Sequence, residues 1–290
     1  MGCAGGKVSY YKKGDLHTRT FLDHVKNRHD IQGEYFEVKR TEKGQLVSAK
    51  YYASRRNLVE KSNYTYSRKG QLLRHHMTAY FDDGPPRISR EWVYQNGRIV
   101  TREEMWFTRA RSVEKKMTIH YDENQQTFLE ETWGLGRHIE SSTEYYYDYK
   151  HRLDKSRRNF FLSDGSLRDY WLTIYNDQSQ IINEEHYLPD NSLIGFYRYA
   201  YHPVGQYREH EEILDEQRNI FISRTFDEYG LILIEEEKDR ELMLTKRLVF
   251  EYNATHKPKF IHHYGPDGGL IKTSKYNKSR YLESFRTPGS

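Results

Sequence analysis

Three pairs of adjacent carboxylates are the residues whose types most readily suggest catalysis. Glu103-Glu104, Glu184-Glu185 and Glu211-Glu212 recur along the chain, and two carboxylates brought together from different strands could act as the acid and base of a glycosidase. Arg and Lys alternate with these acids, so cross-strand ion pairs account for them as well. Because nothing in the sequence selects one catalytic pair, we expect ion pairing and no enzymatic activity.

Histidine is the second candidate for chemistry, since the chain has 14 His. His75-His76 and His262-His263 are adjacent pairs, and neighbouring residues of a strand point to opposite faces. Neither pair can therefore chelate one ion from a flat strand. The sequence has no His-Glu-x-x-His motif and only one Cys. We expect no metal site and no cofactor.

Aromatic residues make up 15% of the chain, including 26 Tyr. A row of aromatic rings on a sheet could bind sugar rings, and the four tryptophans are the candidate ligand platform: Trp92, Trp106, Trp133 and Trp171. The simpler interpretation of regularly spaced tyrosines is a ladder that holds neighbouring hairpins in register.

The spacing of these aromatics reveals an internal repeat, which must position every candidate residue. An aromatic residue precedes a turn every 25 to 28 residues, and turns such as "SDGSL" and "PDNSL" lie between. A turn therefore recurs about every 13 residues, which is too often for helices of normal length. The aromatic ladder consists of Tyr66, Tyr94, Tyr121, Tyr147, Tyr175, Tyr201, Phe226 and Tyr252.

Turn residues and strand composition predict the fold class. The segments are rich in Tyr, Ile, Val, Thr and Phe, which suit strands, and "KGQL" and "NGRI" are hairpin signals. The sequence therefore predicts an all-β protein, an extended antiparallel sheet of stacked hairpins, open and twisted or partly curled. Glycine marks four of the turns and other residues stand in three: Gly70, Gly97, Gly205 and Gly230, then Asn124, Lys150 and Ser179.

The N-terminal part is less regular. "YYKKGDL", residues 10–16, has the aromatic-turn-Leu form of a degenerate first repeat, whereas "TRTFLDHVKNRHD", residues 18–30, could form a capping helix. We favour the degenerate repeat. No linker divides the chain, so we expect a flexible N-terminal anchor segment, residues 1–9, and a single repeat domain, residues 10–290.

The motif Tyr/Phe-Asp/Asn-x-x-Gly-x-Leu/Ile resembles the YD repeats of Rhs-type bacterial proteins. "YDENQQTFLEE" and "FDEYGLILIEEE" are its clearest copies. The chain is also loosely similar to the MORN-like repeats of YwqK-type proteins, although its repeat unit is longer. The resemblance extends from about Tyr10 to Tyr276 and implies an antiparallel sheet of successive hairpins, which Rhs proteins use as a wall around a cargo.

Charge excludes one class of partner. The chain has 46 basic and 42 acidic residues in interspersed order, which is typical of a solvated, cross-paired surface. Since it has no basic block, we expect no nucleic-acid binding. Hydrophobic residues are only 36%, below the roughly 45–50% of ordinary globular domains, so we expect a structure with much surface per residue.

The N-terminus is the one signal for location. "MGCAGG" is similar to the end of a bacterial lipobox, which makes Cys3 a candidate lipidation site and the bacterial cell envelope, on its periplasmic or outer-membrane face, the expected location. Met1-Gly2-Cys3 also suits dual acylation at a eukaryotic inner membrane surface, although Gly6 stands where that motif has Ser or Thr. An ordinary N-terminus with an exposed thiol is the third alternative.

These observations lead to a hypothesis of a membrane-anchored, non-catalytic repeat scaffold that presents a long β surface to a protein partner in an envelope complex. Its alternatives are a protein that binds carbohydrate or cell wall through the periodic Tyr and Trp, and a soluble binding protein similar to immunity proteins or antitoxins.

Overall fold

The computed structural model describes residues 7–53, 57–82, 84–135 and 138–276. These residues form 21 strands and one short 3-10 helix, Arg28–Asp30. The strands are β1 Lys7–Asp15, β2 Thr20–Val25, β3 Tyr35–Arg40, β4 Leu46–Tyr52, β5 Leu58–Tyr66, β6 Leu72–Tyr80, β7 Pro86–Gln95, β8 Arg98–Phe107, β9 Val113–Tyr121, β10 Thr127–Trp133, β11 Ile139–Tyr147, β12 Leu153–Phe161, β13 Leu167–Tyr175, β14 Ile181–Tyr187, β15 Leu193–Tyr201, β16 Arg208–Leu214, β17 Ile220–Phe226, β18 Ile232–Lys238, β19 Leu244–Tyr252, β20 Pro258–Tyr264 and β21 Leu270–Lys275.

The chain divides into two compact units, residues 1–145 with 159–167, and residues 146–158 with 168–290. In the first unit each strand from β3 to β10 pairs antiparallel with the strand that follows it. In the second unit the strands from β13 to β21 do the same. The predicted all-β fold of consecutive antiparallel hairpins is confirmed.

The N-terminal strands depart from this order. β1 pairs with both β2 and β3, so β2 is an edge strand among the described residues of the first unit. The segment that could have been a helix contains β2, which favours the degenerate repeat. β1 begins at Lys7, inside the expected anchor segment of residues 1–9.

The predicted position of the first turn is wrong, because Gly14 lies inside β1 and not in a turn. A Cβ atom at Gly14 would lie 2.7 Å from Cδ1 of Phe21, so the glycine makes room for that ring on the paired strand. The chain turns one residue later. The Asp15 carboxylate accepts hydrogen bonds from the backbone N–H groups of His17, at 2.6 Å, and Thr18, at 2.9 Å.

The motif contains Asp or Asn after the ladder aromatic because the side chain at this position can accept hydrogen bonds from the backbone of the turn. At Asp227 the carboxylate accepts the N–H groups of Tyr229 and Leu231, each at 2.9 Å, while Gly230 has a φ of 75°. Asn253 accepts the N–H groups of Thr255 and Lys257 in the same way, each at 3.0 Å. A short side-chain oxygen therefore satisfies the turn, and Asp and Asn are interchangeable there.

Turns without glycine keep the same backbone conformation. Gln125, His151 and Ser179 have φ values of 64°, 62° and 61°, each four residues after its ladder aromatic. The three residues expected in these turns, Asn124, Lys150 and Ser179, all lie there. Only Ser179 has the positive φ, because in the other two turns the next residue has it. Likewise, Gln206 and not Gly205 has the positive φ, at 55°.

Side chains link several turns to the next turn on the same side of the sheet. Gln180 Nε2 donates to the carbonyl of Gln206 at 2.9 Å, and Asn57 Nδ2 donates to that of Asp82 at 3.1 Å. Each link spans one repeat of 25 or 26 residues. Hydrogen bonds between equivalent turns of successive repeats therefore help to fix the turns in place.

The apolar cores are small. In the first unit the core contains Leu16, Phe36, Val38, Leu46, Ala49 and Tyr64, and a second cluster contains Leu248, Phe250 and Ile261. Such limited cores agree with the low hydrophobic content of the sequence. Polar cross-strand contacts must therefore contribute much of the specificity of the fold.

Replacing Asp227 with Ala should lower the free energy of unfolding by about 1–2 kcal/mol, because two backbone N–H groups lose a charged acceptor. Urea denaturation measures the change. Asp227→Asn is the matched control and should cost less than about half as much, since Asn253 makes the same two bonds in its own turn. Equal losses for the two variants would contradict the turn-capping role.

Candidate functional site

The eight ladder aromatics occupy equivalent positions, each at the last residue of an odd-numbered strand or, for Tyr94, the next to last. Two hydroxyls make the same contact two repeats apart. Tyr201 donates to the carbonyl of Ile181 and Tyr252 to that of Ile232, both at 2.8 Å, and each acceptor is the first residue of the preceding strand. At these two positions the aromatic residue closes its own hairpin.

The four tryptophans of the predicted ligand platform lie on different surfaces. Trp92 and Trp106 share one face of the first unit, since Trp92 is opposite Arg102 and Trp106 lies on the same strand at even spacing from Arg102. Trp133 is opposite Lys116 and lies on the other face. Glycan binding through these rings stays a prediction, and no single row contains all four.

Each tryptophan has an intramolecular neighbour. Trp92 stacks on His75 with ring centroids 4.7 Å apart, and Trp171 stacks on His186 at 4.3 Å. Lys115 Nζ lies 5.4 Å from the Trp106 ring centroid and Lys116 Nζ lies 5.6 Å from that of Trp133. These contacts occupy ring surface that a sugar would otherwise use.

The adjacent histidines point to opposite faces, as predicted. His75 stacks between Tyr64 and Trp92 and makes a 3.0 Å hydrogen bond with Ser62 Oγ, whereas His76 bonds to Ser89 Oγ on the other face at 2.8 Å. Burial lowers the pKa of His75 to about 4. Within the described ranges, no group of three or more His, Cys, Asp or Glu could hold a metal ion.

His75 should make the protein less stable in mild acid. The unfolded imidazole takes up a proton below pH 6.5 while the folded one does so only near pH 4, so stability present above pH 6.5 is lost as the pH falls towards 4. The His75→Phe variant keeps a stacking ring but cannot be protonated. Between pH 7 and pH 5 its free energy of unfolding should fall by about 1–2 kcal/mol less than that of the wild type. Urea titrations at both pH values measure it; equal losses would contradict this assignment.

All six paired glutamates have polar partners, and four of them, Glu103, Glu104, Glu211 and Glu212, form the predicted cross-strand ion pairs. Glu104 is buried between the guanidinium groups of Arg90 and Arg102, at 3.1 Å from each. The partners of the other five are Lys116 for Glu103, Tyr199 for Glu184, Arg218 and Tyr187 for Glu185, Arg208 and Arg224 for Glu211, and Arg198 for Glu212.

The most buried charge cluster lies in the second unit and was not predicted as a site. Arg224 lies between Glu211, at 2.7 Å, and Glu235, at 2.9 Å. Arg208 also contacts Glu211 at 3.0 Å, and Lys246 Nζ lies 3.8 Å from Glu235. Arg224 bridges the two buried acids and Lys246 also pairs with Glu237, so the cluster is suited to holding strands β16, β17 and β18 in register.

An open groove in the second unit is the other feature that sequence reasoning missed. It has a volume of about 730 Å³ and lies at the ends of the hairpins that join β16 to β17 and β18 to β19. We call it the hairpin groove. Its apolar lining includes Ile194, Leu214, Phe221 and Leu242, and its charged lining is Asp215, Glu216, Asp239 and Arg240.

The hairpin groove combines exposed apolar surface with an acidic rim. Ile194, Phe221 and Leu242 are all exposed, and three acids against one base give the lining a formal charge of −2. Ile194 and Phe221 are each the second residue of their strand. That recurrence is the signal by which the groove could have been found in the sequence.

No long apolar helix that could cross a membrane occurs in the part of the chain that the structure describes. Cys3, the predicted lipidation site, lies outside the described residues.

No family model matches the chain, and no curated protein matches it. Among solved structures, the TcdB2-TccC3 complex aligns at 12% identity with a TM-score of 0.33, over 84% of this chain and 15% of that one. A porin-like protein of Bacteroides uniformis aligns at 8% identity with a TM-score of 0.29, over 92% of this chain and 91% of that one. A porin-like protein of Bacteroides vulgatus aligns at 10% identity with a TM-score of 0.28, over 76% of this chain and 95% of that one. No function is transferred from proteins this distant.

Proposed function

We propose that this chain is a non-catalytic β-repeat scaffold, anchored by a lipid on Cys3, that binds a protein partner in an assembly of the bacterial cell envelope. The hairpin groove is the observation that supports the proposal of a protein partner. Exposed apolar surface with a polar rim is typical of protein interaction sites. The described carboxylate pairs are engaged in cross-strand contacts, which supports a structural role for them.

The groove can be tested in the native host with a photo-crosslinking residue. Phe221→p-benzoylphenylalanine places the probe in the groove, and Leu233→p-benzoylphenylalanine is the matched control. Leu233 is also exposed and is the second residue of β18, which starts at the opposite end of the sheet. We expect a discrete protein adduct from position 221 and none from position 233. No adduct at 221, or the same adducts at both positions, would overturn the proposed binding surface.

The anchor has a separate test. We expect the intact mass of the N-terminal peptide from the native host to show a diacylglyceryl group on Cys3, with Met1 and Gly2 removed. A myristoyl group on Gly2 would place the protein at a eukaryotic inner membrane surface and overturn the envelope location, and an unmodified peptide would remove the anchor from the proposal.

A further inference from the structure

The exposed edge of the second unit carries side chains complementary to the hairpin groove. Among the described residues β21 pairs only with β20, so no described strand covers its other edge. Leu270 and Ile271 are 57% and 70% exposed. Lys272 and Lys275 lie on the same strand, which therefore combines apolar and basic side chains.

Ile271 occupies the same place in the repeat as two residues of the groove. It is the second residue of β21, as Ile194 is of β15 and Phe221 of β17. Residues at this place are exposed in all three strands. In β15 and β17 they line the groove, whereas β21 is the last strand that the structure describes.

The strand β2, at the edge of the first unit, carries features that hinder pairing with another chain. β2 contains Asp23 with a φ of 58°, and its pairing with β1 skips Lys12 and Asp23. Asp23 also forms a 3.2 Å ion pair with Lys13. A bulge and inward charges are common ways of blocking edge-to-edge association. The register between β20 and β21 shifts between His263 and Tyr264 and skips Ile271, just as Ile194 and Phe221 are skipped in their own pairings.

Strand β21 cannot reach the hairpin groove of its own chain. β21 is the fourth strand after β17, and neighbouring strands are about 4.8 Å apart, so about 19 Å separate the two. β21 is also held by five paired positions on β20. Any β21 seated in the groove must come from another molecule.

We propose that the hairpin groove binds β21 of a second copy of this chain. Ile271 of one copy packs on Ile194 and Phe221 of the next, while the lysines of β21 lie near the acidic rim formed with Asp215, Glu216 and Asp239. Because the two surfaces are different, the contact is heterologous and each copy keeps one groove and one edge for further copies. This inference rests on the proposed protein-binding role of the groove and names the partner.

The test is sedimentation velocity of the purified full chain over about a hundredfold range of concentration. We expect wild-type protein to form species that grow with concentration and dissociate with added salt, since a charged rim contributes. Phe221→Ser and Ile271→Ser should each weaken self-association by at least about tenfold. Leu233→Ser, exposed at the opposite end of the sheet, should behave as wild type. Circular dichroism checks that each variant is folded.

A mixture of the two variants separates this geometry from other modes of association. Phe221→Ser keeps an intact β21, and Ile271→Ser keeps an intact groove, so an equimolar mixture should form a dimer that does not grow. A monomeric wild type, undiminished association of either variant, or a mixture that stays monomeric would overturn the inference. If that happened while photo-crosslinking at position 221 still captured a different protein, only the identity of the partner would be wrong.

Discussion

Replacing Arg224 with Ala is expected to lower the free energy of unfolding by about 3 kcal/mol. The substitution leaves the buried carboxylates of Glu211 and Glu235 without the guanidinium that lies between them, and removing one member of a buried ion cluster typically costs about 3–5 kcal/mol. The lower end applies because Arg208 and Lys246 remain beside the two acids. Chemical denaturation followed by Trp fluorescence measures the change.

Two further variants separate burial from charge. Lys259→Ala removes an ion pair with Glu251 in which both side chains are about half exposed, and should cost less than about 1 kcal/mol. The triple variant Glu211→Leu, Arg224→Leu and Glu235→Leu should recover most of the loss, since apolar residues can replace a buried ion cluster. If Arg224→Ala and Lys259→Ala had equal effects, the buried cluster would have no special role in stability.

Replacing Met77 with Ala should cost a similar amount, about 3 kcal/mol, for a different reason. Met77 on β6 is only 1% exposed, and truncating a buried side chain of this size removes its apolar contacts and leaves a cavity. Because the core of the first unit is small, few neighbours can move to fill the space. Thermal and urea unfolding measure the loss.

Leu73→Ala is the control for Met77→Ala. Leu73 lies on the same strand but is 39% exposed, so its truncation should change stability by no more than about 0.5 kcal/mol. Equal losses at the two positions would show that the burial of Met77 is not the cause of the loss.

Most of the fold could be predicted because each turn has a local chemical cause. The aromatic residue, the Asp or Asn after it and the residue with positive φ recur at fixed offsets. The spacing of about 13 residues between turns can therefore be recognised in the sequence. Gly14 shows the limit of this reasoning. It looks like a turn glycine, but it accommodates the Phe21 ring on the paired strand, and such a contact depends on pairing that the local sequence does not encode.

The candidate site was harder to predict than the fold. The pairing of adjacent glutamates followed from strand alternation, but the partner of each depended on register. Ile194 and Phe221 look like ordinary strand residues, but each is skipped in the pairing of its strand and is exposed. They line one groove because both strands start at the same end of the sheet. The faces on which Trp106 and Trp133 lie also follow from bulges and register, which the spacing of the tryptophans does not show.

The pairing of each strand with its sequence neighbour has a consequence for folding kinetics. Successive hairpins place most contacting residues about one strand and one turn apart, so the contact order is low for an all-β protein, and folding can begin at any hairpin and spread to its neighbours. β1 is the exception, because it must pair with β3 across the intervening β2 and its following loop. Formation of that pair closes a longer loop than any hairpin does, and it should be the slow step in completing the N-terminal end of the sheet.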